Sequence, residues 1–210
     1  MGFYRRFGKR ALDILLCGAG LAVLSPVFAA LALLVRLDSP GPVFFAQKRI
    51  GKDHKTFQLY KFRSMRVDTP HDVPTHLLGD PTAYLTSIGK FLRKTSLDEL
   101  PQLLNILRGE MSLVGPRPAL WNQADLIALR DQNGASAVLP GLTGLAQVSG
   151  RDELPLAEKA RLDGVYAARL SLRMDVACLI RTVVPVLHGE GVALDGESAR
   201  HGAPPVDKQC

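Results

Sequence analysis

The chain has 210 residues, 47% of them hydrophobic, which is enough for one domain with a real core and too little for two comfortable ones. Its 26 lysines and arginines outnumber its 20 acids, but only 6% of residues are aromatic and no basic helix carries interleaved stacking residues, which argues against nucleic-acid binding. The three cysteines form no CxxC pair and the five histidines have no zinc-ligand spacing. These patterns predict a reduced, cytosol-facing protein without a zinc site.

A long apolar segment occupies residues 14–35 and consists almost entirely of Leu, Ala, Val, Phe and Gly. About 22 residues make a helix of roughly 33 Å, enough to cross the core of a bilayer. Cations flank both ends, which favours contact with anionic lipid headgroups and, by the positive-inside rule, places both ends on the cytoplasmic side. The flanking cations are Arg5, Arg6, Lys9, Arg10, Arg36, Lys48, Arg49, Lys52 and Lys55.

Three interpretations of this segment compete: a signal peptide, a straight span or buried core helix, and a re-entrant helix that enters the membrane and returns. A signal peptide needs a shorter apolar region and a cleavage site. Ser25 and Pro26 lie near the middle, where proline removes a helical hydrogen bond and bends the helix, and where the serine hydroxyl can satisfy a freed carbonyl. The bend and the two basic flanks together favour the re-entrant form.

The rest of the chain predicts an α+β fold that is mainly helical, with one small β-hairpin. A turn cluster at 38–42 ends the apolar helix, and strands at 43–45 and 56–60 flank a turn at 51–53. A loop is predicted at 68–81. Helical periodicity begins near Ile88 and is clearest from Leu97, where the leucines on one face are Leu97, Leu100, Leu104 and Leu107. Further helices are predicted at 121–130, 156–170 and 172–187. The last helix is expected to cover the core or to lie in the membrane interface.

The chain therefore divides into three parts. Residues 1–37 form the basic flank and the membrane helix, residues 38–188 form a catalytic domain continuous with it, and residues 189–210 are small and polar enough to predict a mobile tail.

The stretch around Asp98 is the most informative for chemistry. Ser96 with Glu99 three residues later is a capping box, a common structural device at the start of a helix. The functional alternative uses the same geometry: a carboxylate at a helix start stays ionised, and nearby backbone N–H groups can hold a phosphate. Asp98 could then attack phosphorus and form an acyl phosphate.

Two other stretches concentrate positive charge. Residues 60–66 carry three cations and otherwise have the composition of a solvated strand end. Arg117 stands between two prolines, which limit its backbone and favour a preorganised phosphate contact over an ordinary Gly-Pro turn.

Four stretches, taken in order, resemble the bacterial sugar transferase family, the monotopic phosphoglycosyl transferases. They are KFRSM at 61–65, RKTSLDELPQ at 93–102, MSLVGPRP at 111–118 and PGLTG at 140–144. The resemblance extends from about residue 5 to about residue 191 in chain order and is to the small form of the family. It implies a membrane helix broken at Ser25 and Pro26, at the cytoplasmic face of the bacterial inner membrane.

The resemblance also implies a two-step reaction that uses Mg²⁺. Asp98 attacks the β-phosphate of a UDP-sugar and releases UMP, and polyprenyl phosphate then takes the phosphosugar from the aspartate. Glu99 completes an acidic dyad, in metal binding or in proton handling. The implied substrate-binding residues are Lys61, Arg63, Arg93, Arg117, Pro140, Gly141, Thr143 and Gly144. Two anionic substrates meeting an anionic nucleophile require such cations to offset the repulsion.

The sequence departs from the family in the region of PGLTG. Leu139 and Leu145 stand where an arginine and a tryptophan are common, and Ser149 stands where an asparagine is common. Residues 125–130 and 150–155 resemble those of members that act on N-acetylated amino-deoxy sugars. The sugar, the polyprenol, the glycan product and homodimer formation stay open.

One alternative of a different class remains, a membrane-attached scaffold whose acidic pair only caps a helix. It predicts that Asp98→Asn leaves function intact. An aspartyl-phosphate phosphatase ranks far behind, because no DxDxT-type motif surrounds Asp98.

Overall fold

A computed structural model describes residues 2–70, 80–150 and 154–188. The predicted tail, part of the predicted loop at 68–81, and Arg151 and Asp152 lie outside these residues. The α+β, mainly helical class is confirmed.

The apolar segment forms one continuous helix, α1 (Lys9–Asp38), preceded by a π-helical turn at Tyr4–Gly8. Among the described residues, Tyr4–Asp38 is the one helix long and apolar enough to cross a membrane. Pro26 lies inside the helix, and the hydroxyl of Ser25 donates to the Ala22 carbonyl over 2.8 Å. That carbonyl is the one that the missing N–H of proline leaves without a helical donor. Helical geometry continues past Pro26, so the break that would turn the chain back stays a prediction.

Both halves of α1 pack against the rest of the molecule. Cys17 in the first half is buried with Leu103 and Ile106. Leu31 and Val35 in the second half are buried in a separate cluster with Phe62 and Leu92. Leu21, Phe28 and Ala32 pack against the same clusters, whereas other apolar side chains of α1 face outward, with Leu15 69% and Val23 77% exposed.

The predicted hairpin is confirmed. Strands β1 (Phe44–Ile50) and β2 (Thr56–Phe62) pair antiparallel from Phe44↔Phe62 to Ile50↔Thr56. Two further short strands follow in the chain, β3 (Ser112–Val114) and β4 (Ala119–Leu120). Strand β4 pairs with the edge of β1 opposite to β2, so β1 is the central strand of a three-stranded sheet. Strand β3 itself pairs in parallel with β5 (Gly141–Thr143), so residues 115–118 connect the two sheets.

Six further helices complete the described fold. They are α2 (Ser87–Lys94), α3 (Gln102–Arg108), α4 (Ala124–Asn133), α5 (Leu145–Ser149), α6 (Leu156–Arg169) and α7 (Leu172–His188). The predictions near Ile88 and at 156–170 and 172–187 are confirmed, and the helix predicted at 121–130 begins later, at Ala124.

The helix predicted to run from Leu97 is wrong at its start. Leu97–Glu99 is a single 3-10 turn, and α3 begins only after Pro101. Because proline suits the first turn of a helix but not its interior, the regular helix begins there. The buried face of α3 carries Leu103 and Ile106, whereas Leu104 is 39% exposed.

A buried carboxylate joins the N-terminal turn to α6 and α7. Asp175 accepts hydrogen bonds from the Tyr4 hydroxyl at 2.5 Å and the Lys9 ammonium at 2.7 Å, and it lies 2.8 Å from the Tyr166 hydroxyl. Burial and the charge of Asp175 raise the pKa of Tyr166, so the phenol stays protonated. Tyr166 also lies 2.8 Å from the carbonyl of Val114, at the end of β3.

Candidate active site

The acidic pair lies in the turn between α2 and α3. Ser96 adopts a left-handed conformation with φ 57° and makes no side-chain capping bond, so the capping box is wrong. Its N–H instead bonds the Arg93 carbonyl and ends α2. The chain reverses at Ser96 and places Asp98, 5% exposed, and Glu99 beside the end of β2. The acidic pair is therefore not explained by a capping box with Ser96.

Lys61 bridges the two acids from the end of β2. Its ammonium nitrogen lies 2.7 Å from Glu99 Oε1 and 3.4 Å from Asp98 Oδ2. The lysine side chain is largely buried, so these attractions are screened less than on an open surface. The hairpin register that pairs Lys61 with Phe45 fixes the position of this cation.

Arg117 reaches the same acid from the other side. Its Nη2 lies 2.9 Å from Glu99 Oε1, the oxygen that Lys61 also contacts. Burial alone would raise the pKa of Glu99, but the charges and hydrogen bonds of Arg117 and Lys61 hold it well below its ordinary value of 4.5. Glu99 is therefore ionised at neutral pH and holds two cations next to Asp98.

The PGLTG stretch supports the turn that carries Arg117. The Pro140 carbonyl accepts from Ser112 N–H at 2.8 Å, and the Thr143 carbonyl accepts from Gly115 N–H at 2.8 Å. A Cβ on Gly141 or Gly144 would clash with the backbone of Gly115, so only glycine permits this approach. The Thr143 hydroxyl lies 2.7 Å from the Thr182 hydroxyl. Substrate contact by Pro140, Gly141, Thr143 and Gly144 stays a prediction.

Arg93 lies at the end of α2, close to the acids. Its Nε donates to the Ser64 hydroxyl at 3.0 Å. Burial lowers the pKa of Arg93, while the nearby charges of Asp98 and Glu99 raise it again. The predicted residues Lys61, Arg93, Asp98, Glu99 and Arg117 thus come together in space although they come from three separate stretches of sequence.

The sequence was compared with known proteins. It matches the family described as bacterial sugar transferase over residues 4–189. It is 42% identical over 196 residues to the exopolysaccharide production protein PSS of Rhizobium leguminosarum bv. phaseoli, a match that covers 87% of this chain and 97% of that protein. The chain belongs to the bacterial sugar transferase family. It is therefore a transferase.

The transferase is also similar to two other curated proteins. It is 36% identical over 200 residues to exopolysaccharide production protein ExoY of Sinorhizobium fredii, with 87% of each chain covered. It is 42% identical over 186 residues to the UDP-glucose:undecaprenyl-phosphate glucose-1-phosphate transferase of Escherichia coli K12. That match covers 85% of this chain and 40% of the longer E. coli protein.

Arg63 of the transferase is engaged elsewhere. Its guanidinium donates to the carbonyls of Pro40 at 2.5 Å, Ser39 at 2.8 Å and Val35 at 3.4 Å, all at the C-terminal end of α1. Carbonyls at a helix end lack helical donors and favour a cation. The structure therefore gives Arg63 a role in fastening the C-terminal end of α1, and its predicted contact with substrate stays a prediction.

Two residues that hold the site were not singled out from the sequence. Arg49 donates to the Pro118 carbonyl at 3.0 Å, next to Arg117. Asn105 is fully buried in α3, accepts from Tyr60 N–H at 3.1 Å and donates to the Gln58 carbonyl at 2.7 Å, so it occupies the free edge of β2. Alternation along β1 places Arg49 on the face of the sheet shared with Lys61, and this signal could have identified it.

The acidic side chains of the site are the possible protein ligands for Mg²⁺. In the described parts of the chain, no three His, Cys, Asp or Glu side chains come together as a metal site. Mg²⁺ is often held by one or two carboxylates together with substrate phosphates and water. The adjacent carboxylates of Asp98 and Glu99 fit that mode and leave the other ligands to the substrate.

Proposed function

We propose that this transferase moves a sugar 1-phosphate from a UDP-sugar to polyprenyl phosphate through a covalent intermediate on Asp98. The observation that carries the proposal is the buried Asp98 held beside Glu99, Lys61 and Arg117. The relatives support it, since two are named for the transfer of glucose 1-phosphate from UDP-glucose to undecaprenyl phosphate. Others are named for exopolysaccharide production, which supports a role in the first step of surface glycan synthesis.

In the first step an oxygen of Asp98 attacks the β-phosphorus of the donor. The bond from that phosphorus to the bridging oxygen breaks, and UMP leaves with the oxygen and its electron pair. In the second step a phosphate oxygen of the polyprenyl phosphate attacks the same phosphorus, the bond to Asp98 breaks, and the carboxylate is restored. No proton has to be removed from either nucleophile, because both are anions.

The surrounding cations make this meeting of anions feasible. Lys61 contacts the nucleophile and Arg117 contacts the neighbouring Glu99 before substrate arrives, so little reorganisation is needed when the phosphates enter. Glu99 holds both cations in place through one oxygen. Mg²⁺ bound by Asp98, Glu99 and the donor phosphates would supply charge neutralisation at the transferred group.

We propose further that α1 is re-entrant and keeps the catalytic domain at the cytoplasmic face of the inner membrane. At the start of α1, Arg10 donates to the carbonyls of Ile106 and Leu107, and Asp13 accepts from Leu113 N–H at 3.0 Å. At the other end, Asp38 accepts from Ile88 N–H at 3.1 Å. Both ends of the apolar helix are thus fastened to one domain, which supports a single membrane side for both.

The outer face of α7 supports an interfacial position as well. It exposes Leu172, Val176, Ile180 and Val183 at helical spacing. Its fastening to the N-terminal turn through Asp175 keeps this face near the basic residues that precede α1, which suits anionic headgroups.

The topology is tested by labelling Arg6→Cys and Pro42→Cys with a membrane-impermeant maleimide in sealed inverted vesicles. Both residues are exposed, Cys17 and Cys178 are buried, and the remaining cysteine, Cys210, is replaced by serine in every variant. Labelling of both new cysteines supports the re-entrant helix. Labelling of only one would establish a straight span.

The reaction is tested by UMP release from a panel of UDP-sugars with polyprenyl phosphate and Mg²⁺. The panel includes N-acetylated amino-deoxy sugars, which we propose as donors alongside glucose and galactose. Wild type is expected to release UMP with one donor and Asp98→Asn to release none, because the amide is a far poorer nucleophile. Full activity of Asp98→Asn would reject the mechanism and favour the scaffold alternative.

A further inference from the structure

Arg49 is a cation beside the active site, and the reaction just proposed gives this residue no role. It lies on the central strand β1, where Nη1 donates to the Pro118 carbonyl at 3.0 Å and Nη2 donates to Gln47 Oε1 at 2.5 Å. Gln47 is itself buried, 6% exposed. The guanidinium is thus fixed between a buried amide and the turn that carries Arg117.

The surroundings of Arg49 do not favour a positive charge. Its Nε is buried and has no hydrogen-bond partner, and the bonds of its two outer nitrogens go to neutral oxygens. Burial and the neighbouring charge of Arg117 lower the pKa of Arg49 to about 10, and Glu99 offsets this only in part. A buried charge without a directly bonded acid destabilises a fold, and such exceptions concentrate at functional sites.

The position of Arg49 explains what the charge can do. Residues 115–118 connect β3 to β4, and the glycines of PGLTG hold the start of this connection against β5. Arg49 holds its end, since Pro118 directly follows Arg117 in sequence and β4 pairs with β1 at Arg49 itself. The backbone is thereby held on both sides of Arg117, the arginine that contacts Glu99.

We propose that Arg49 is a positioning residue for the donor diphosphate: it fixes the turn that presents Arg117 to the phosphates. This rests on the proposed function for the identity of the ligand. Arg49 acts through Arg117 and needs no contact with substrate of its own.

The test compares Arg49→Gln, Arg49→Lys, Arg117→Gln and the double variant Arg49→Gln/Arg117→Gln in detergent-purified protein. UMP release gives kcat and KM for the UDP-sugar, and the rise of Tm with added UDP gives binding without turnover. Lys48→Gln is the matched control, because Lys48 is a cation on the same strand that lies over the Trp121 ring at 5.5 Å.

Arg49→Gln is expected to raise KM for the donor about thirtyfold with a smaller change in kcat, the scale of one lost charge-assisted hydrogen bond. Arg49→Lys keeps the charge and should recover much of this loss, and Lys48→Gln should stay within about twofold of wild type. In the Arg117→Gln background, Arg49→Gln should cost less than about threefold, because its effect passes through Arg117.

Losses that multiply in the double variant would overturn the proposal, as would a lower Tm for Arg49→Gln with KM and UDP binding unchanged. If Arg49→Gln does not fold, Arg49→Met, which keeps the aliphatic stem and removes the guanidinium, takes its place in the same comparison. Coupling seen in UDP binding without any UMP release would support this inference and reject the proposed reaction. UMP release by wild type, together with independent losses at Arg49 and Arg117, would support the proposed reaction and reject this inference.

Discussion

Replacing Arg63 separates the role that family resemblance implies from the role that the structure gives it. Arg63 is 4% exposed, and two of its three carbonyl contacts, at 2.5 and 2.8 Å, are short. Two charge-assisted hydrogen bonds are worth roughly 3–6 kcal/mol, and Arg63→Met would also remove the buried, unpartnered Nε, which offsets about 1–3 kcal/mol. With the low values paired and the high values paired, the net loss of unfolding free energy is about 2–3 kcal/mol.

For a protein of this size, each kcal/mol corresponds to roughly 2–4 °C in Tm, so Arg63→Met is expected to lower Tm by roughly 4–12 °C. The folded fraction should keep its KM for the UDP-sugar, because the guanidinium serves the end of α1. Thermal unfolding in detergent and UMP release measure the two quantities. Arg93→Met is the contrasting variant, since Arg93 lies near the acids and its loss should raise KM. A raised KM for Arg63→Met at unchanged Tm would refute the reasoning.

Two further predictions concern the supports of the site. Because the folded-state pKa of Glu99 lies below 4.5, its ionised form stabilises the fold above that pH and the contribution is lost as the pH falls through the folded value. Glu99→Gln should therefore lower Tm at about pH 7, with the gap from wild type closing below about pH 4.5; a gap independent of pH would contradict this. Asn105→Leu should lower stability by about 2–4 kcal/mol and speed hydrogen exchange at the Tyr60 amide, because the edge of β2 loses its partner. Leu104→Ala on the exposed side of α3 is the control, and equal exchange in both variants would reject the role of Asn105.

The parts of the fold with a regular pattern could be predicted from the sequence. Two runs of strand composition around a turn predicted the hairpin, and apolar spacing predicted α6 and α7. The helix at Leu97 failed because its leucines have helical spacing while the backbone of Ser96 is left-handed. Periodicity reports which side chains are apolar and carries no information about a single residue with positive φ.

The site was predicted to a different extent. The family motifs named the acids and most of the cations, but Lys61 and Arg63, two residues apart, serve different ends of the structure. Lys61 is the next-to-last residue of β2 and contacts the acids, whereas Arg63 follows the strand and contacts α1. Arg49 and Asn105 act through backbone atoms of other segments, and such contacts depend on tertiary packing that a sequence pattern does not encode.

Side chains around the site join it to the apolar helix α1. Arg10 of α1 caps the end of α3, Asn105 of α3 holds the edge of β2, and Arg63 just after β2 caps the end of α1. These contacts form a closed ring of three elements, and Lys61 lies on it. Because every link joins a side chain to backbone atoms, α1 cannot shift without moving the strand that carries Lys61. A lipid-borne acceptor held at the depth of the membrane surface would then meet the acids and their cations at a fixed height.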